Sequence, residues 1–514
     1  MDLLPIFILI FFILALSVRL VSCLSSFGWF SRGFAGDSSV HLQIIKQIKK
    51  GGAHRGIENY VIPNKMSYPI LFHRMCAFFP IKFIEKFSFV PNLLIYVLSF
   101  ALFVFFAFQF LELCEFEFSP FILPTCLLLH LLSIQNLVSA GPAIAYLKLS
   151  SRLLAKIGCS LFVFFIFIYL EFDQEFCFFI ASFFAAVGFL SGTFAAQVLF
   201  FFTLFFSILC PQFDVFSSCV LGLVFSLLVS KGYSLRSIVG MIKYWKIYFL
   251  RVRKSRYTAP VLSSFINIPD LIKSISNKRF KILAKQLYKR EPTRAILYYP
   301  ETLLIFYLLF FGENEFLYLG EIYLAVAIVF FLTCSKTLNF LGEAYRYLEY
   351  GLFYLNPFVL SLLMGINFTA VGALILVTIL IAYSLCISIL INRFCGHTHG
   401  AGEDNLSAFL SQLNLSSNNV VFPVSMRLGA DIVARTGCRS FWWQPGGITD
   451  LDMHDDYLHE YPYLSLNWEK LCDRHGVSFI VVDKAAQAKF LDRYNFSSLK
   501  AFLEDESYIA YKYN

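Results

Sequence analysis

The sequence predicts an α-helical polytopic membrane protein that carries a small soluble α/β domain at its carboxyl end. Of its 514 residues, 58% are hydrophobic and only 15% are charged, and the mean hydropathy is +0.68. Sixty-two phenylalanines lie largely in long apolar runs, and phenylalanine inserts favourably into hydrocarbon. This composition excludes an ordinary soluble protein.

The apolar runs predict about eleven transmembrane helices. A bilayer core about 30 Å thick needs roughly 20 apolar residues per crossing, and the backbone must pair within each segment, which requires helices. The first run has only Asp2 before it and Arg19 inside it, so we interpret it as an uncleaved anchor. The predicted spans are 3–24, 90–111, 120–138, 157–170, 176–191, 194–210, 213–230, 299–312, 319–334, 351–366 and 369–391.

A sharp change in composition near residue 392 predicts two domains. Residues 1–391 form the transmembrane domain, with interfacial loops at 25–89 and 231–298. Residues 392–514 are polar and long enough for a small folded domain. Short apolar strands alternate there with helical stretches, which predicts an α/β domain. Its three cysteines, Cys395, Cys438 and Cys472, are too widely spaced for a zinc motif, so no structural zinc is predicted. Its acidic and histidine-rich stretch at 450–460 could bind a divalent cation, and a solvated acidic loop is the alternative.

Loop charge alone leaves the membrane orientation open. Acidic and basic loops alternate, and residues 231–300 hold sixteen Lys or Arg. A literal positive-inside reading places the basic loops, the first loop and the carboxyl-terminal domain in the cytoplasm. That rule weighs short loops most, whereas this long segment predicts interfacial helices at 241–251 and 280–289, which could serve phosphate groups on either face.

The first polar loop carries the most informative motif, Gly-Asp-Ser-Ser-Val-His at 36–41. Asp37 lies where the bilayer ends and water begins, so it can meet a lipid headgroup and a soluble substrate together. Asp-Ser-Ser also suits a helix N-cap, and the two roles are compatible because a capping carboxylate keeps one oxygen free. His41 follows one helical turn later and could orient Asp37 or contact substrate. The alternative for His41 is an interfacial histidine whose hydrogen bonds are satisfied within the protein.

A second motif in this loop is Tyr-Pro-Ile-Leu-Phe-His-Arg at 68–74. The proline after Tyr68 predicts that a helix begins here, which would place His73 and Arg74 at the membrane surface. Arginine makes bidentate contacts with phosphate oxygens, so Arg74 could bind a phosphate. An arginine that extends beside lipid toward water is the alternative.

The order of these features resembles the GT-C membrane glycosyltransferases. An Asp early in the first loop, a Tyr-Pro-x-x-x-His segment before the second span, a long later loop with interfacial helices and a soluble carboxyl-terminal domain follow one another in that order. The resemblance implies that Asp37 serves catalysis. It also implies a cytoplasmic amino terminus, with the first loop and the carboxyl-terminal domain on the periplasmic or external face. We favour this orientation over the charge count because several features constrain it jointly.

The resemblance further implies the reaction and its partners. A sugar would pass from a polyprenyl-phosphate-linked donor to an exported glycan, lipid or protein acceptor, at the bilayer of a bacterial inner membrane. Asp37 would be the general base, and one carboxylate suffices for an inverting transfer because phosphate leaves without a strong acid. The loop 139–158 lacks the second acidic pair of metal-using members, so no cofactor is assigned and a divalent cation is left open. No nucleic-acid partner is expected.

A second candidate constellation lies at 341–350, between the ninth and tenth spans. Its charged residues and tyrosines recur at helical spacing, so one face can gather them. Glu343, Tyr345 and Arg346 are candidate substrate ligands, and Arg346 is the preferred ligand for the donor phosphate. Loop parity places Arg152 on the same side as a further candidate. The alternative is an interfacial helix with internally paired ions and a tyrosine belt.

Two other functional classes remain in competition. A transporter or flippase of lipid-linked glycans, or a non-catalytic envelope-assembly scaffold, would also have many helices. Transporters bind substrate near the midplane, whereas polar residues of this chain concentrate in loops, which favours interfacial chemistry. The modest exceptions within apolar spans are Gln135, Asn136, Gln197 and Asn339.

Overall fold

The computed structural model is mostly helical, with a small sheet near the carboxyl end. It describes residues 37–52, 56–62, 66–113, 122–133, 149–252, 291–313, 316–335, 338–395, 399–442, 451–460, 463–484 and 498–513, and the isolated positions 10, 13, 17, 493, 494 and 496. The predicted first span, 3–24, lies outside these residues except at three positions. The predicted interfacial stretch 280–289 lies wholly outside them.

The helices up to residue 395 follow the apolar runs and the flanking amphipathic segments. They are α1 (Asp37–Lys49), α2 (Leu71–Ala77), α3 (Ile81–Lys86), α4 (Val90–Leu113), α5 (Ile122–Leu131), α6 (Arg152–Phe172), α7 (Glu175–Ser191), α8 (Thr193–Leu209), α9 (Phe213–Val229), α10 (Tyr233–Leu250), α11 (Glu291–Tyr298), α12 (Pro300–Phe311), α13 (Leu319–Cys334), α14 (Tyr345–Leu352), α15 (Leu355–Asn367) and α16 (Ala370–Cys395).

Three of these helices, α4, α6 and α16, are long and apolar enough to cross a bilayer individually. The pairs α9–α10, α11–α12 and α14–α15 are long and apolar enough to cross only when their two helices are taken together. They bend by 114°, 87° and 69° between the helices, as in a broken span or a re-entrant loop. The helices α5, α7, α8 and α13 are apolar but shorter. Each predicted span from 90–111 onward therefore overlaps an apolar helix in the described residues, whereas the number of eleven crossings stays a prediction.

Helix α6 forms the centre of the membrane part. Of the most apolar stretch of α6, 94% is buried inside the protein, whereas 17% of the corresponding stretch of α16 is buried, so α16 lies at the periphery. Glycine lets α7 approach it closely, because a Cβ atom on Gly158 would lie only 2.6 Å from the backbone nitrogen of Gly188. Membrane helices associate largely through such close packing of small residues. This packing holds the amino-terminal half of α6 against α7, and the first turn of α6 contributes to the candidate site.

We expect Gly158→Ala to lower the free energy of unfolding by about 1–3 kcal/mol, because the added methyl group must push α6 and α7 apart. Gly320→Ala in α13 is a matched control, since a methyl group added there would have no neighbouring atom within 4 Å. Replacing glycine by alanine in a helix is otherwise neutral or stabilising, by up to about 1 kcal/mol. Thermal unfolding in detergent measures both. Equal stability of the two variants would contradict the close approach of α6 and α7.

The carboxyl-terminal segment contains the predicted mixture of helices and strands. Its elements are α17 (His399–Gln412), β1 (Val420–Pro423), α18 (Met426–Thr436), β2 (Arg439–Ser440), α19 (Leu451–Tyr457), β3 (Leu458–Glu460), β4 (Tyr463–Leu464), α20 (Trp468–His475), β5 (Phe479–Asp483), β6 (Ala501–Glu504) and β7 (Tyr508–Lys512). The five-stranded sheet has the order β2-β1-β5-β7-β6. Strand β1 runs parallel to β2 and β5, and β7 runs antiparallel to β5 and β6.

Helix α1 of the first loop lies between the apolar helices and the carboxyl-terminal sheet region. It packs against α2 on one side and against α18 on the other. The Ser39 hydroxyl donates to Oδ1 of Asp431 in α18 at 2.6 Å. Further along the loop, Tyr60 forms a bridge with Ser440 of β2, at the edge of the sheet. The loop that carries the Asp37 motif is thus held from both sides.

Candidate functional site

An open cleft of about 180 Å³ lies where the first loop meets the membrane helices α6, α8 and α14. Four predicted substrate ligands line this cleft together, namely His41, Tyr68, Arg152 and Arg346. The other lining residues are Val40, Ser151, Ala155, Gly192, Thr193, Phe194 and Tyr350. Aromatic walls with a few convergent polar and charged groups are typical of small-molecule sites.

His41 and Tyr68 form one wall of the cleft, and His73 lies behind them in the same aromatic cluster. Nδ1 of His41 lies 2.8 Å from Nε2 of His73, and the two rings stack with centroids 5.0 Å apart. The Tyr68 ring meets both histidines edge-on, and its hydroxyl lies 3.0 Å from Oγ of Ser151. His73 is fully buried, so the expectation of a surface position is not met. It faces inward because α2 turns this side toward α1.

His73 is neutral at pH 7. Burial, together with the neighbouring His41 ring, holds the pKa of His73 well below its usual value, although the Pro69 carbonyl acts in the opposite direction. With His73 uncharged, the two imidazoles can share a single hydrogen, one nitrogen donating and the other accepting. The pair therefore orients His41 at the cleft through a buried neutral partner.

Glu343 forms ion pairs with two arginines beside the cleft. Nη2 of Arg346 lies 2.5 Å from Oε2 of Glu343, and Nη1 of Arg294 lies 3.7 Å from Oε1. The Tyr345 hydroxyl donates to Oε2 at 3.1 Å. Burial raises the pKa of Glu343, but the charges of Arg346, Arg294 and Arg152 outweigh it and lower that pKa to about 2. Glu343 is thus ionised at pH 7, within a group of three arginines.

Glu343 lies in the turn before α14, so it does not share a helical face with Arg346 as the spacing predicted. Gly342 in this turn has φ of +121°, a conformation that glycine adopts at little cost. A Cβ atom there would lie 2.8 Å from the Phe194 ring of α8. The turn is therefore seated directly against a residue that lines the cleft.

Phe194 is a site residue that sequence reasoning missed. Its ring centroid lies 4.9 Å from that of Tyr347 and 5.1 Å from that of Tyr350, and the Arg346 guanidinium lies 5.7 Å away. Hydropathy places Phe194 at the start of an apolar span, where it is indistinguishable from a lipid-facing residue. Gly192, two residues earlier at the break between α7 and α8, is the only local sequence signal of a special position.

A buried ion pair lies one helical turn below Arg152, and it too was missed. Nζ of Lys156 lies 3.3 Å from Oε1 of Glu349, and the two side chains are only 1% and 7% exposed. The ammonium also lies 3.5 Å from the centroid of the Phe353 ring. The predicted span began at residue 157, whereas α6 begins at Arg152 and carries the lysine inside the protein.

Four of the eight predicted substrate ligands do not line the cleft, namely His73, Arg74, Glu343 and Tyr345. Arg74 on α2 is exposed and does not line the cleft. Asp37 is the first residue of α1, one turn before His41, but its side chain lies outside the described part of the structure. Because Val40 and His41 line the cleft, the backbone of Asp37 begins the helix that forms this wall.

Comparison with known proteins gives similarity at the level of the fold. No family model and no curated protein sequence matches the chain. The solved structure of ArnT from Cupriavidus metallidurans bound to undecaprenyl phosphate is similar, with a TM-score of 0.54, 9% identity and coverage of 97% of both chains. The Archaeoglobus fulgidus oligosaccharyltransferase tethered with an acceptor peptide has a TM-score of 0.55 and 11% identity, with coverage of 94% of this chain and 70% of that one.

The same oligosaccharyltransferase in complex with Zn and sulfate has a TM-score of 0.56 and 12% identity, with coverage of 94% of this chain and 69% of that one. ArnT and the oligosaccharyltransferase AglB both belong to the GT-C superfamily. The resemblance predicted from the order of sequence features is therefore confirmed, and the chain has the fold of the GT-C membrane glycosyltransferases.

Proposed function

We propose that this protein is a membrane glycosyltransferase that moves a sugar from a polyprenyl-phosphate-linked donor to an exported glycan, lipid or protein acceptor. The observation that carries the proposal is the cleft that joins Arg152 and Arg346 to the helix beginning at Asp37. The similar ArnT structure is bound to undecaprenyl phosphate, which supports a lipid phosphate as the ligand of these arginines. We place the cleft on the external or periplasmic face of a bacterial inner membrane, following the family order.

In the proposed reaction Arg152 and Arg346 bind the donor phosphate, since guanidinium groups match phosphate oxygens in pairs. The acceptor hydroxyl attacks the anomeric carbon and gives its proton to Asp37 as general base. The bond between that carbon and the phosphate oxygen breaks, and its electron pair stays on the phosphate. The surplus positive charge of the cleft stabilises this developing anion. A single displacement inverts the anomeric centre.

We assign no step to a metal ion. Among the described residues, no three His, Cys, Asp or Glu side chains gather closely enough to hold one. His41 and His73 stack on one another and therefore present one ring, and not a set of ligands, to the cleft. Transfer measured with and without EDTA decides whether the reaction needs a divalent cation.

The test is a transfer assay in which the donor-binding role of Arg346 is removed. Purified protein in lipid receives radiolabelled polyprenyl-phosphate sugars and a cell-envelope extract as acceptor. We expect Arg346→Gln to lower kcat/KM for the donor about 10- to 100-fold, mainly through KM, because hydrogen bonds to charged groups contribute about 1.5–3 kcal/mol. Asn or Gln cannot supply the guanidinium fork.

Arg251→Gln is the matched control for this variant. Arg251 also pairs with a carboxylate, Asp455, at 2.7 Å, but it does not line the cleft, so its loss should change kcat/KM less than twofold. Equal transfer by Arg346→Gln would remove Arg346 from the donor site. Failure of the wild-type protein to transfer from any donor would favour a transporter or a scaffold.

A further inference from the structure

Glu343 stands behind the arginine that faces the cleft, and its position suggests a role in turnover. We propose that Glu343 is the counter-anion that releases the product lipid: it competes with the phosphate of the leaving polyprenyl phosphate for Arg346 and draws the guanidinium back after transfer. This inference rests on the proposed function and concerns the same cleft.

Arg346 lies between two anion positions. Its side chain lines the cleft, while Nη2 contacts Glu343, which is not among the lining residues. A guanidinium has five N–H donors in a fixed fork, so one edge can hold Glu343 while another faces a phosphate. Both side chains are partly exposed, 20% for Arg346 and 30% for Glu343, which leaves room for the guanidinium to turn.

Glu343 itself is anchored independently of Arg346. Arg294 approaches the other carboxylate oxygen at 3.7 Å, and the Tyr345 hydroxyl donates to the shared one at 3.1 Å. The turn at Gly342 is seated against Phe194. The carboxylate therefore keeps its place when the Arg346 guanidinium moves toward a ligand, as a fixed competitor must.

The lipid phosphate becomes more negative during the reaction, and this change alters how tightly the arginines of the cleft bind it. A sugar donor is a phosphodiester with one negative charge. When its bond to the anomeric carbon breaks and the electron pair stays on the phosphate, the product is a phosphomonoester with a charge of about −1.5 to −2 at pH 7. Three arginines near the cleft face the single carboxylate of Glu343, so the site favours product over donor.

Tighter binding of the developing product lowers the barrier, but it also slows release of the finished product. An internal anion reduces this excess attraction without removing the arginines that stabilise the transition state. The buried charges below the cleft do not alter the count, because Lys156 and Glu349 neutralise one another. Glu343 is therefore the described group suited to set the affinity for the product.

The test compares binding of radiolabelled undecaprenyl phosphate by wild-type protein, Glu343→Gln and Asp455→Asn in lipid nanodiscs. We expect Glu343→Gln to bind this lipid about three- to tenfold more tightly and to be inhibited more strongly by it during turnover, with donor KM changed less than threefold. Asp455→Asn breaks a carboxylate–arginine pair that does not line the cleft and should leave binding unchanged. Weaker or equal binding by Glu343→Gln would overturn the proposal, because Glu343 would then only position Arg346.

Glu343→Asp covers the case in which Glu343→Gln does not fold. It keeps the charge but withdraws it by one methylene, so product affinity should rise in the same direction by a smaller factor. Wild-type protein that binds the lipid but transfers no sugar would refute the proposed function, while the comparison still decides the role of Glu343. Transfer by wild-type protein with no tighter binding by either variant would refute this inference alone. No lipid binding by wild-type protein would refute both.

Discussion

Asp37→Asn is expected to lower kcat for sugar transfer by about 10²- to 10⁴-fold, the usual contribution of a positioned general base. Asparagine keeps the size and hydrogen-bonding shape of the side chain but cannot take a proton from the acceptor hydroxyl. The donor KM should change less than threefold, because the phosphate ligands Arg152 and Arg346 remain. The assay with radiolabelled polyprenyl-phosphate sugars measures both constants at matched thermal stability.

This substitution separates chemistry from helix capping. Asparagine is as good as aspartate at the start of a helix, and the lost charge at the helix end is worth only about 0.3–1 kcal/mol. If Asp37 serves only to begin α1, Asp37→Asn will therefore transfer sugar at the wild-type rate. That result would remove Asp37 from catalysis.

Asp431→Asn is the control for movement of α1. Asp431 accepts the hydrogen bond of Ser39, two residues after Asp37, so the variant perturbs the same helix through another carboxylate. We expect its kcat to stay within about threefold of wild type. A loss as large as that of Asp37→Asn would mean that the placement of α1, and not the Asp37 carboxylate, limits the reaction.

Hydropathy predicted the helices well because lipid requires long apolar segments with internally paired backbones. The predicted span 319–334 coincides with α13, and 90–111 falls within α4. Hydropathy does not report bends, so the break between α14 and α15, which falls inside the predicted span 351–366, was not predicted. The hairpin of β6 and β7 was also missed, because β6 is a four-residue edge strand with mostly exposed side chains and lacks the alternation of a half-buried strand.

The candidate site was predicted where polar residues interrupt apolar sequence. His41, Tyr68, Arg152 and Arg346 were named from motifs, helical spacing and loop parity within these polar segments, and the structure places all four around one cleft. Their roles stay predictions. Phe194 could not be found in this way, because an aromatic side chain at a helix end has the same hydropathy whether it faces lipid or a ligand.

Contacts between residues far apart in the sequence could not be predicted either. The stacking of His73 on His41 depends on how α2 is rotated against α1, and no spacing in the sequence fixes that rotation. The alternative of ions paired within the helix at 341–350 does not hold for Glu349, because its carboxylate contacts Lys156 of α6. Charge spacing along one helix does not show whether Glu349 pairs within that helix or with a lysine of another helix.

Lys156→Met is expected to destabilise the protein by about 3–5 kcal/mol, because it leaves the buried Glu349 carboxylate without its ammonium partner. Glu349→Gln should lower the free energy of unfolding by a similar amount, because it leaves the buried Lys156 ammonium without its carboxylate partner. The double variant Lys156→Met/Glu349→Gln removes both charges, and replacing a buried pair together is often neutral. We therefore expect it to be more stable than either single variant, as measured by thermal unfolding in detergent.

An exposed pair of the same residue types provides the control. Lys46 and Glu85 lie 2.8 Å apart, with side chains 30% and 38% exposed, and exposed pairs contribute about 0–1 kcal/mol. Lys46→Met should therefore cost no more than that. If Lys156→Met costs equally little, water reaches the pair and it is not a buried support of the cleft.

Because the double variant leaves the net charge below Arg152 unchanged, we expect its kcat/KM to stay within about threefold of wild type, whereas each single variant alters the field that holds the donor phosphate.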